Sequence, residues 1–99
     1  MQFDWDDANR QHIAEHRVSS DEAEYVVNHG PWDIEVQIVE TEERYVQLGA
    51  TNRGRVLIVI STVRGTLIRV VTAYDASRRQ RLLYERWRGE SYGTEAGCP

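Results

Sequence analysis

The chain has 99 residues and a mass of 11.5 kDa, enough for one small domain and too little for a multidomain enzyme. Its formal charge of −4 argues against coating nucleic acid through bulk charge, and its single cysteine, Cys98, excludes an intrachain disulfide. The N-terminal MQFDWDDANR lacks the basic start and apolar core of a signal peptide, and no run approaches the ~18 apolar residues of a membrane span, so a cytoplasmic protein is expected.

Gln2 to Trp5 alternates polar and aromatic residues, as a short strand does. Asp6 then caps a helix to about His16, with an inward stripe of Asn9, Ile13 and His16. Ser19 and Glu22 have capping-box spacing, with Val18 and Ala23 placed for a hydrophobic staple, and open a second helix from Ser20 to about Asn28. Its apolar stripe is Ala23, Val26 and Val27, and Gly30 with Pro31 ends it. From Trp32 the period falls to two: Ile34, Val36 and Ile38 lie on one face of a strand, Glu35 and Gln37 on the other. Glu42 and Glu43 are expected in the next turn, followed by an alternating strand from Arg44 to Thr51 and a turn at Asn52, Arg53 and Gly54. Val56 to Ile60, apolar and rich in β-branched residues, reads as a central strand; Arg64 and Gly65 turn the chain into a last strand from Leu67 to Ala73. Ser77 and Gln80 repeat the capping-box spacing and open a helix to about Arg88 that buries Leu83, Tyr84 and Trp87. Gly89 to Pro99 holds too little apolar material to pack and reads as a disordered tail. The expected fold class is α+β: one domain over residues 1–88, with helices packed on an antiparallel sheet.

Charge is strongly polarised along the chain. Met1 to Glu43 holds 2 Arg and 12 acids, whereas Arg44 to Arg88 holds 10 Arg and 2 acids. That contrast points to an anionic partner for the second half, RNA or an acidic protein segment, although arginines paired with the acidic half would leave the same composition. Arg64, Arg69, Arg78, Arg79 and Arg81 fall on the last hairpin and the start of the last helix, where they could form an RNA cradle with Tyr45 or Tyr74 to stack bases. The segment HIAEH, residues 12 to 16, fits the inverted zinc-protease pattern HxxEH, in which His12 and His16 would bind metal one helical turn apart. With three fixed positions and no further ligand identified, the plainer reading is a helix with one inward and one solvated histidine, and no metal is expected.

The ordered series FDWDDAN (3–9), His16 with VSSDEA (18–23), EERYVQLGAT (42–51), GRVLIVIST (54–62), RGTLIRV (64–70) and ASRRQRLLYE (76–85) resembles the BrnT toxins of bacterial type II toxin–antitoxin systems. The resemblance implies a RelE-like fold, ribonuclease activity without a cofactor, and a cognate antitoxin whose separate DNA-binding domain carries the pair to its operator, so that DNA is met only through the antitoxin. Three departures stand out: Arg17 where the family usually has Gly, Tyr74 and Asp75 where the last strand usually ends in an Arg-containing segment, and Gln80 where the last helix usually has Glu.

RNA cleavage without metal needs a base for the 2′-hydroxyl, cations for the charged phosphorane and an acid for the departing 5′-oxygen. Arg64 and Arg69 match the family's RGxxIR stretch and are the expected cations. Glu43, His16 and Tyr74 are the candidates for base and acid, in no fixed order, with Arg44, Arg78, Arg79 and Arg81 as RNA contacts. The alternatives are a catalytically weak relative that acts as an antitoxin-binding corepressor and, third, a metal-dependent hydrolase using His12 and His16.

Overall fold

The computed structural model describes residues 2–96, with side chains through Glu90. The helices are α1 (Asp7–Ala14), α2 (Ser20–Asn28) and α3 (Arg78–Ala96), and the strands are β1 (Trp32–Val39), β2 (Glu42–Ala50), β3 (Val56–Arg64) and β4 (Leu67–Asp75). The strands form one antiparallel sheet in the order β1-β2-β3-β4, the arrangement that three successive hairpins produce.

Side-chain caps start every helix. Asp6 accepts from the Asn9 backbone N–H at 3.1 Å while the Asn9 side chain accepts from the Asp6 N–H at 2.8 Å. Ser19 and Glu22 exchange the same two bonds at α2, as do Ser77 and Gln80 at α3. Asn9 also donates to the carbonyls of Asp4 and Val70, which is why an amide can be buried there. Helix α1 stops at Ala14, and His16 and Arg17 close tight turns onto Ile13 and Ala14 as Arg17 enters the left-handed region at φ 59°. His16 is therefore exposed, and the inward stripe expected to include it ends at Ile13.

Register divides the sheet into two faces. Leu57, Val59, Val70 and Ala73 pack beneath Ile13, Val18, Ala23 and Val26 of the α1–α2 unit. Gly49 lets α2 approach: a Cβ there would lie 2.8 Å from Val26 Cγ1 and 3.3 Å from Pro31 Cβ. The opposite face carries Val46, Leu48 and Ile58 against Tyr84 of α3, with Trp87 stacked on Trp32 at 5.5 Å between ring centroids.

Four expectations are corrected. The N-terminal strand is a single parallel bridge, Phe3 beside Ile68, because Asp6 is already the cap of α1 and leaves too few residues to extend it. Glu42 and Glu43 belong to β2, since the turn is made by Glu40 and Thr41, with Glu40 at φ 60°. Leu83 is exposed, because Tyr84 and Trp87 already take the core side of α3. Helix α3 continues past Arg88 to Ala96, with Arg86 and Glu90 paired across one turn at 3.1 Å, so the segment expected to be a tail is helical through Ala96. The rest of that expected tail, residues 97–99, lies outside the described residues. Among the described residues, no helix is long and apolar enough to cross a membrane.

Candidate active site

Strand alternation sends Glu42 and Arg44 of β2, Thr62 and Arg64 of β3, and Arg69 of β4 to the sheet face that carries Val46 and Ile58 further along. Across the β3–β4 hairpin Thr62 pairs with Arg69 and Arg64 with Leu67, so Arg64 and Arg69 stand on adjacent strands near the same turn. Helix α1 lies against β4, held by the Asn9 bond to the Val70 carbonyl, and adds His12. His12, Glu42, Arg44, Arg64 and Arg69 line one open cleft of about 330 Å³, floored in part by Val70 and Val71.

The three arginines of this cleft are held differently. Arg69, only 14% exposed, pairs with Asp6 at 3.1 Å and Asp4 at 3.5 Å. Its hydrogen bond to Asp6 lowers the Asp6 pKa, and the same bond raises that of Arg69. Arg44 Nε lies 3.5 Å from Glu42 Oε1, too loosely aligned for a hydrogen bond, and both atoms are buried without one. Arg64 is exposed and has no ion pair among the described residues. The cleft thus offers one uncommitted guanidinium, one loosely paired and one already neutralised.

A second hollow, about 430 Å³, is lined by Glu15, His16, Arg17, Tyr74 and Asp75. The His16 ring lies 5.9 Å from Tyr74 and 5.9 Å from His12, centroid to centroid. Arg55 organises this region: it donates to both oxygens of Asp75 at 2.8 and 3.1 Å, to Glu22 at 3.2 Å, and to the carbonyls of Arg17 and His16 at 2.6 and 3.3 Å. Its guanidinium holds the Asp75 carboxyl below its ordinary pKa. Burial pushes the Glu22 carboxyl up, but the Ser19 N–H and Arg55 outweigh it and leave Glu22 lowered as well.

The expected site residues therefore separate. Arg44, Arg64 and Arg69 share the cleft; His16 and Tyr74 share the second hollow. Glu43 lies on the other face of β2 from Arg44 and accepts from the Tyr45 hydroxyl at 2.9 Å, which raises the Tyr45 pKa. Arg78 and Arg79 line a separate groove on α3, and Arg81 is exposed one turn after Ser77. His12 and His16 line different hollows, and among the described residues no group of three His, Cys, Asp or Glu side chains is placed to hold a metal.

Sequence reasoning passed over Glu42 as a cleft residue and weighed His12 only as a metal ligand. The i, i+2 spacing of Glu42 and Arg44 would have found the first, once the turn was placed two residues earlier. Nothing local signals the second, since His12 reaches the cleft only because α1 lies along β4. Residues 5–80 match a protein family described as the ribonuclease toxin BrnT of type II toxin–antitoxin systems. No curated protein matches the chain.

Proposed function

Since the chain belongs to the BrnT family of ribonuclease toxins of type II toxin–antitoxin systems, we propose that it cuts RNA at the cleft between α1 and β2–β4, without a metal ion. On this reading it arrests growth until a cognate antitoxin neutralises it, and its fold is the RelE-like one that the resemblance implies. The observation that carries the assignment is the convergence of Arg44, Arg64 and Arg69 with one imidazole and one carboxylate in a single open cleft.

The chemistry follows from where these groups stand. Arg64 and Arg44 take the phosphodiester and stabilise the charge that builds on it, while Arg69, already paired with Asp4 and Asp6, holds the β4 wall of the cleft in place. Glu42, kept close to Arg44, removes the 2′-hydroxyl proton. The 2′-oxygen then bonds to phosphorus as the bond from phosphorus to the 5′-oxygen breaks. Protonated His12 gives its proton to that departing oxygen, so the products are a 2′,3′-cyclic phosphate and a 5′-hydroxyl. Strand β2 and helix α1 lie on opposite sides of the cleft, separated by β3 and β4, which suits a base and an acid acting from opposite directions in an in-line displacement.

The test is RNA cleavage by the purified chain with EDTA present, beside Arg64→Ala, His12→Ala and Glu42→Gln. Each variant should keep its fold and lose about 2 to 4 kcal/mol of transition-state stabilisation, ~30- to 1000-fold in rate. Cleavage abolished by EDTA and restored by zinc would refute the metal-free mechanism. Full activity in all three variants would place the chemistry elsewhere.

A further inference from the structure

Helix α3 turns two leucines to solvent: Leu82 is 58% exposed and Leu83 42%. Its core side is already filled by Tyr84 and Trp87, so neither leucine contributes to the packing beneath. Arg78, Leu82 and Arg86 follow one another at i, i+4 and i+8, and Arg79 with Leu83 forms the neighbouring row. Together these five residues line an open groove of about 450 Å³ with three arginines around it, of which Arg86 also pairs with Glu90 at 3.1 Å. A chain with a net charge of −4 has gathered cations around a small apolar floor, away from the cleft.

We infer that this groove seats an acidic segment of the cognate antitoxin that carries at least two aliphatic anchors, an inference that rests on the toxin reading above. RNA is the weaker fit. Leucine contributes nothing to phosphate recognition, and among the described side chains of α3 the aromatic rings, Tyr84 and Trp87, pack in the core cluster, Trp87 being stacked on Trp32. A carboxylate on the arginine rim is already illustrated within the chain, where Glu90 accepts from Arg86 at 3.1 Å. A second copy docked groove to groove would set Arg78, Arg79 and Arg86 against the same arginines, and one docked through an acidic stretch such as Asp33 and Glu35 would make a head-to-tail contact that propagates rather than closes. A partner segment with leucine-type anchors for the floor and carboxylates for the rim satisfies both halves of the groove.

The test uses the full chain and its co-expressed, separately purified antitoxin. Leu82→Glu with Leu83→Glu should raise the Kd for the antitoxin at least about 100-fold, as loss of central anchors does. Circular dichroism and the rate of RNA cleavage should be unchanged, since both leucines are exposed and outside the cleft. Arg78→Ala with Arg79→Ala should weaken binding about tenfold at low salt and flatten its salt dependence. A Kd for the leucine variant within about threefold of the parent would overturn the proposal. So would a leucine variant that loses RNA affinity while keeping the antitoxin, or one that loses only a self-association of the free chain. A parent chain that binds antitoxin through these leucines yet cuts no RNA would leave the groove standing and remove the ribonuclease reading instead.

Discussion

Replacing Arg55 with Ala separates a structural clasp from a catalytic centre. Arg55 reaches four acceptors on three parts of the chain: Asp75 at the end of β4, Glu22 on α2, and the carbonyls of Arg17 and His16 between the helices. Asp75 is 63% exposed, so its share is a surface ion pair of about 0.5 kcal/mol despite the two-pronged geometry. Glu22 and the arginine side chain are each about one-third exposed or less, which supports roughly 0.5 to 1 kcal/mol more. The Arg17 carbonyl accepts from a charged donor at an exposed position, worth about 1 kcal/mol. The expected loss is therefore ~2 to 3 kcal/mol, or a fall in Tm of roughly 10 to 20 °C for a domain of this size. Urea unfolding followed by circular dichroism measures the first and a thermal scan the second. Cleavage of RNA, assayed well below the variant's Tm, should stay within about threefold of the parent, an effect too small for a lost catalytic group. A destabilisation below about 0.5 kcal/mol would refute the clasp. A folded variant with cleavage reduced more than about 30-fold would show that the His16–Tyr74 hollow holds the chemistry.

Other expectations follow from the backbone and the charges. Arg17→Gly removes a side chain from a residue at φ 59° while keeping the carbonyl that Arg55 uses, so it should stabilise the fold by about 1 kcal/mol in the same urea assay. Gly49→Ala pushes a methyl to 2.8 Å from Val26 Cγ1 and should cost about 1 to 3 kcal/mol as α2 is forced off β2. Asp75 and Glu22 both titrate below their ordinary values in the folded chain, so the stability they supply is complete above the ordinary carboxylate range and is lost as pH falls through their folded values. Tm should thus drop below about pH 4, and drop less steeply in Arg55→Ala.

The caps were the most legible part of this fold. Asp6 caps its helix as expected, and Ser19 and Ser77 start theirs as the capping-box spacing predicts, because such a cap is a short-range exchange of hydrogen bonds that three or four residues determine by themselves. The Glu40–Thr41 turn was invisible for the converse reason. It places a glutamate at φ 60°, where turn chemistry favours Gly or Asn, so two acidic residues further on looked like the turn. Glu43 was singled out as the start of the matched EERYV strand, but alternation along β2 puts Glu42, not Glu43, on the face of Arg44. Arg64 and Arg69 were recognisable from the motif that contains them, but the acids holding Arg69 lie 63 and 65 positions earlier in the chain and no window spans them. His16 was expected inside because the helix was carried two residues past its end at Ala14, up to the point where Arg17 leaves the right-handed region.

The attachment of the N-terminus to β4 bears on the order in which this protein becomes active during synthesis. Phe3 bridges to Ile68, Asn9 donates to the Val70 carbonyl, and Asp4 and Asp6 hold Arg69, so the ties that fix the beginning of the chain to the sheet edge wait for residues made more than sixty positions later, while the Trp5 indole donates to Glu24 nearer by. An eight-residue helix is marginal in water without such support. A nascent chain that ends before β4 lacks Arg69 and the strand against which α1 sets His12. On the proposed reading the cleft is complete only once translation has reached β4, about two-thirds of the way along the chain, and closing contacts of such long range is slow in itself. A nascent chain short of β4 would carry no assembled nuclease, and an antitoxin would meet only the finished one.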